Sequence, residues 1–255
     1  MRSVSFILVL IVSIAPTVSA DISQILTVNE PPSSFLETNG VVSGFSVDIV
    51  REAQKRIGNQ ANIQILPEAR ALSIASNKPN TLLFAFSSTP ERKKKFHLIT
   101  LLFRKPWVLY SRADKPMTIR NLDDAKLSSS IGVVIGDVRE RYLSQQGFQN
   151  LSKTSTHEQN LKMLRLNRIQ LMFYEPLGMA YLCRKLNIPL SAFKPVFNSK
   201  VSDVFLMISK NGTSADDVNK WKKVFSDIKE DGTFKRIADK WSKKKICGYW
   251  APLSL

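Results

Sequence analysis

A chain of 255 residues, 44% hydrophobic and 23% charged, has enough material for one large or two small buried cores, and its composition excludes a disordered or low-complexity protein. A formal net charge of +16, with 37 basic and 21 acidic side chains, points toward anionic partners. Nucleic acid is the usual one, but no DNA- or RNA-binding motif is present.

The first twenty residues read as a secretory leader. Arg2 is a short positive region, Val4 to Ile14 an apolar run, and Val18-Ser19-Ala20 a small-residue cleavage site. The run is short for a membrane span, although an uncleaved anchor is the competing reading. Cleavage after Ala20 would leave an exported, soluble, periplasmic protein with no sign of a lipid anchor. Export also argues against nucleic acid.

Ile25 to Asn29 reads as a strand, broken by Glu30-Pro31-Pro32. Ser46 is the expected N-cap of a helix through Ile57, with Val47, Ile49, Val50, Ala53 and Ile57 on one face and Gly58 at its end. Ile63 to Leu66 is a strand and Ala69 to Asn77 a short helix. Leu82 to Phe86 is a buried strand leading into Ser87-Ser88-Thr89-Pro90-Glu91-Arg92-Lys93-Lys94-Lys95-Phe96. Thr89 suits an N-cap and Pro90 the first helical position. Arg92 then falls in a first helical turn, where a cation is locally disfavoured. A bound carboxylate would resolve that conflict; a solvated basic turn is the plainer alternative.

Trp107 to Ser111 is a strand, followed by a polar stretch with Pro116 and Asn121-Leu122-Asp123-Asp124. A second α/β series follows. Its strands are Ile131 to Ile135, Leu151 to Thr154, Leu171 to Tyr174 and Phe193 to Phe197, with helices Val138 to Gln146, His157 to Leu166 and Leu177 to Leu186. Val204 to Ile208 returns as a strand, and helices Ser214 to Lys229 and Thr233 to Lys243 end the chain. Alternating β and α segments imply an α/β fold with parallel sheet covered by helices.

Three stretches carry a family resemblance. They are Gly44-Phe45-Ser46-Val47-Asp48-Ile49, the strand and turn through Thr89-Pro90-Glu91-Arg92-Lys93-Lys94, and Asp231-Gly232-Thr233-Phe234 through Lys240-Trp241. In this order the chain resembles the family 3 extracellular solute-binding proteins, the periplasmic amino-acid-binding components of ABC transporters. The resemblance implies a two-lobed periplasmic-binding-protein-like fold, with two α/β lobes joined by two hinge strands and ligand in the cleft. Lobe 1 would be residues 21–104 and 203–255, and lobe 2 residues 105–202.

It also implies a site. Arg92 would hold the carboxylate of the ligand, and Ser87 would sit near its amine, unless it only caps the turn. Asp137, in a turn where relatives carry hydroxyls, faces the ligand or caps its own helix. Glu175 falls at the position of the ammonium-binding acid, or heads the following helix beside Pro176. Glu30 replaces one stacking aromatic, and a second is replaced in Pro67-Glu68-Ala69-Arg70-Ala71-Leu72, where Arg70 faces either the cleft or solvent. A ligand bearing a carboxylate and cationic groups would suit Glu30, Asp137 and Glu175. His97 and His157 lack the spacing of a metal site or triad and read as structural. No cofactor or metal is implied. An even pair of cysteines in an oxidising compartment, Cys183 and Cys247, is expected to be bridged.

The leading function is a monomeric receptor for a small carboxylate-bearing solute that serves an ABC permease or a sensor kinase. One alternative is an enzyme on the same scaffold, resembling cyclohexadienyl dehydratases, with Glu175 as general acid. The other is a ligand-poor basic module that contacts anionic lipid or cell-wall polymer.

Overall fold

The computed structural model describes residues 21–243. The expected leader and Cys247 lie outside the described residues. The chain opens with β1 (Gln24–Thr27), β2 (Phe35–Leu36), β3 (Val42–Ser43), α1 (Phe45–Ile57), β4 (Ile63–Ile65), α2 (Glu68–Asn77), β5 (Thr81–Ser87) and α3 (Pro90–Lys95). A long strand, β6 (Phe96–Arg112), leads to α4 (Leu122–Lys126), β7 (Ile131–Val134), α5 (Val138–Gln145), β8 (Leu151–Thr154), α6 (His157–Arg165), β9 (Leu171–Tyr174) and α7 (Pro176–Lys185). A second long strand, β10 (Phe193–Ser209), returns to α8 (Ala215–Glu230) and α9 (Thr233–Lys243).

Eight strands form one mixed sheet in the order β4-β1-β5-β10-β6-β9-β7-β8. Its two ends are parallel, as the α/β alternation requires, and the antiparallel ribbon of β6 and β10 joins them. β10 pairs with β5 on one side, and β6 pairs with β9 on the other. The sequence shows each long strand only in part, as Trp107 to Ser111, Phe193 to Phe197 and Val204 to Ile208. Pro106 and Pro195 interrupt the patterns, yet both sit in the ribbon, whose register shifts next to Pro195 and so accommodates its missing donor. The residue boundaries 104/105 and 202/203 fall inside these strands.

Apolar spacing explains the helices. α8 buries Val218, Trp221, Val224, Phe225 and Ile228 against α1 and the sheet, each burial stabilising by roughly 1.5–3 kcal/mol. The second half has its own clusters, one around Leu161, Met172 and Met179 and another around Trp107, Ile131 and Phe173.

α1 corrects one expectation. Its N-cap is Gly44, and Ser46 lies inside the first turn, buried, with Oγ 2.8 Å from Ser33 Oγ. Gly44 has φ 140°, and a Cβ there would lie 2.2 Å from the Ser33 carbonyl oxygen. Only glycine allows that approach, which pins the loop carrying Glu30 to the start of α1. The first and last sequence motifs also meet. Asp48 accepts hydrogen bonds from Trp241 Nε1 at 2.9 Å and Lys240 Nζ at 3.1 Å, and Phe45 packs edge-on to Phe234. Among the described residues no helix is long and apolar enough to cross a membrane.

Candidate ligand-binding site

A cavity of about 560 Å³ opens between the two halves of the molecule. The loop after β1 contributes Glu30, β2 contributes Phe35, and the start of α2 contributes Glu68. The opposite wall supplies Asp137, His157 and Tyr174. Leu36 and Ile135 also line it and are 54% and 64% exposed, so the mouth has an apolar lip from each half.

The floor is an ion-pair cluster centred on Arg139, which is 1% exposed. Asp137 caps α5 through a 2.7 Å bond from the Arg139 backbone N–H. Its carboxylate also accepts from Arg139 Nε at 2.9 Å and Nη2 at 2.6 Å. Glu30 reaches across the cleft and accepts from Nη1 at 3.0 Å and Nη2 at 2.9 Å. Lys105 on β6 lies 3.2 Å from Glu30. His157 Nε2 lies 3.0 Å from Arg139 Nη2 and 3.5 Å from the Asp137 carboxylate, and the imidazole stacks on Tyr174.

Burial would raise the Glu30 carboxyl, but Arg139, Lys105 and His157 override it and hold it at about 2. Burial acts the same way on Asp137, and Arg139 again wins, holding it well below the usual range. Burial, with Arg139 beside it, lowers His157 against the pull of Asp137 and Glu30. One ligand atom each from Glu30, Asp137 and His157 lie within 4.8 Å of one another, a spacing suited to a cation. The Arg139 guanidinium lies among those atoms and supplies the positive charge a metal would bring.

A second cluster lies at the α2 end. Arg92 is 5% exposed; its Nη1 donates to the Ser87 carbonyl at 2.7 Å and its Nη2 pairs with Glu68. Thr89 caps α3 as expected, accepting from the Arg92 backbone N–H at 3.2 Å. Glu68 also receives Arg141 from α5, so this cluster spans the cleft as well. Burial lowers Arg92 against the pull of Glu68, and burial raises Glu68 against the pull of Arg92. Arg92 lines not the larger cavity but a second one of about 360 Å³ on the far side of Glu68, with Lys95, Trp107, Arg141 and Lys200.

The sequence-derived residues therefore separate. Glu30 and Asp137 come together at the floor. Ser87 is buried beside Arg92, its Oγ without a partner among the described residues. Glu175 caps α7, accepting from the N–H groups of Leu177 at 2.8 Å and Gly178 at 2.5 Å, and is buried behind the floor rather than on the larger cavity. Arg70 is exposed on α2. Cys183 is buried in the second half's core, and its expected partner Cys247 lies outside the described residues. His157, read as a structural residue, lines the cavity.

Glu68, Lys105, Arg139, Arg141 and Tyr174 were not singled out by sequence. The usable signal was the replacement of two aromatics by acids, Glu30 and Glu68, each of which needs a buried cation. Thr156 caps α6 through the Gln159 N–H at 3.2 Å and so sets His157 at the cavity edge. Thr156→Ala is expected to cost about 1 kcal/mol in urea denaturation, with an unchanged slope.

Comparison with known proteins agrees with this architecture. The chain is 24% identical over 214 residues to the L-cystine-binding protein TcyJ of Escherichia coli strain K12, covering 83% of this chain and 78% of TcyJ. Its fold is similar to that of a histidine kinase sensor domain with similarity to periplasmic binding proteins, with TM-score 0.76, 16% identity and coverage of 87% and 96%. It is also similar to the P235GK mutant of ArgBP from T. maritima, with TM-score 0.75, 17% identity and coverage of 87% and 95%. These neighbours share the two-lobed α/β fold. The family model for bacterial extracellular solute-binding proteins, family 3, matches residues 24–244, and the chain belongs to that family.

Proposed function

We propose that the mature protein is a periplasmic receptor that captures an amino acid or related polar solute between its lobes and presents the closed form to an ABC permease or a sensor kinase. The observation that carries this reading is the 560 Å³ interlobe cavity, walled by both halves and of a size for a small solute. Its floor is polar and fixed by hydrogen bonds, while Phe35, Leu36 and Ile135 offer apolar surface to a side chain. β6 and β10, the covalent links between the halves, are the natural hinge for closure.

In this reading the solute carboxylate reaches Arg92 by taking the place of Glu68. Glu68 is already a carboxylate held between Arg92 and Arg141, at the boundary of the larger cavity. The basic surface then serves solubility and contact with the anionic envelope.

A thermal-shift screen of residues 21–255 against amino acids, small organic acids, polyamines and short peptides tests the reading. A true ligand raises the melting temperature by mass action, about 2.7 kcal/mol at a hundred times Kd. At least one small carboxylate is expected to do so. A well-folded sample that responds to no compound would refute the receptor reading.

A further inference from the structure

Arg139 has the surroundings of a bound ligand rather than those of a surface ion pair. Two carboxylates each present both oxygens to an edge of its guanidinium, with N–O distances of 2.6–3.0 Å. The Tyr174 ring lies against the guanidinium face, its centroid 4.9 Å from Cζ. Planar forks at the edges and an aromatic at the face are what a site for a free guanidinium would contain. Glu30, Asp137, His157 and Tyr174 all line the 560 Å³ cavity, and the Arg139 side chain fills the gap between them.

We infer that Arg139 is a tethered occupant of a guanidinium subsite, one that latches the lobes together and bars guanidinium-bearing solutes from the cleft. The latch follows from connectivity. Asp137 and Arg139 sit at the start of α5, while Glu30 belongs to the loop after β1 on the opposite wall. The bar follows from charge. With Arg139 in place, Glu30 and Asp137 are already paired, and a second guanidinium would meet a like charge where it needs a free carboxylate. The solute taken by the native protein then carries a neutral or acidic side chain at this end.

The inference rests on the receptor reading only for that last consequence, and its test is separate. The mature protein, Arg139→Ala and Arg139→Gln are melted with methylguanidinium chloride in the millimolar range, against tetramethylammonium chloride at equal concentration. Both variants are expected to melt several degrees higher in methylguanidinium than in the control, with no difference for the native protein. Adding Glu30→Gln to the Arg139→Ala variant is expected to abolish the effect. Folded variants that ignore methylguanidinium would overturn the inference, as would a native protein that responds equally. Variants that stay unfolded with methylguanidinium present would overturn it too. Rescue without any solute binding by the native protein would count against the receptor reading alone; solute binding without rescue would count against the tethered guanidinium alone.

Discussion

Glu30→Ala is expected to lower the unfolding free energy by about 3–5 kcal/mol at neutral pH, far more than a surface charge would. Glu30 is 5% exposed and serves two buried cations, Arg139 and Lys105, the latter 4% exposed. Removing it takes from Lys105 its ion-pair partner and leaves Asp137 as the one carboxylate paired with Arg139. The cost is that of a stranded charge, not the net worth of the pair. Replacing Glu30 and Arg139 together by apolar residues is therefore expected to cost less than the two single changes summed. The pH dependence has a definite sign. The folded carboxyl, held at about 2, lies below its ordinary value of 4.5. Its contribution is present above pH 4.5 and is lost as the pH falls through 2. Urea denaturation at neutral and strongly acidic pH should show the gap between native protein and variant closing in acid.

Glu175 should act in the opposite direction. Burial, aided by the charge on Glu30, pushes its carboxyl up to about 7 from 4.5. A raised carboxyl contributes stability below its unfolded value and loses it as the pH rises through the folded value. The window is pH 4.5 to 7, and the loss across it is about 3 kcal/mol. Glu175→Gln keeps an acceptor for the N–H groups of α7 but cannot ionise. Compared with the variant, the native protein is expected to lose that amount between pH 4.5 and 8, read from denaturation curves at several pH values. A difference that does not change with pH would mean that Glu175 is ionised throughout.

Much of the fold was legible because three motifs encode packing that the chain cannot do without. Gly44 is required by the approach of the Ser33 backbone, and Asp48 is required by Trp241 and Lys240. Pro90 and Thr89 start α3 as their chemistry dictates. The long ribbon was less legible, since prolines and polar residues break its pattern and the pairing that rescues it lies about a hundred residues away in sequence. The site was only partly legible for a similar reason. Each acid could be read as substituting an aromatic, but its partner could not. Glu30 meets an arginine 109 positions later and Glu68 meets one 24 positions later, distances at which no local rule applies. Asp137 and Arg139, two positions apart at a helix start, were the one local hint.

In the proposed binding mode Arg92 receives the solute carboxylate in exchange for Glu68. Calorimetric titration of the most stabilising compound from the screen, on the native protein, Arg92→Ala and Glu68→Ala, tests this most directly. Binding is expected to weaken at least about tenfold in Arg92→Ala, the scale of a lost charged hydrogen bond, and to tighten in Glu68→Ala, where Arg92 and Arg141 stand free for the ligand. Equal affinity in all three proteins would place the ligand elsewhere and rule out this binding mode.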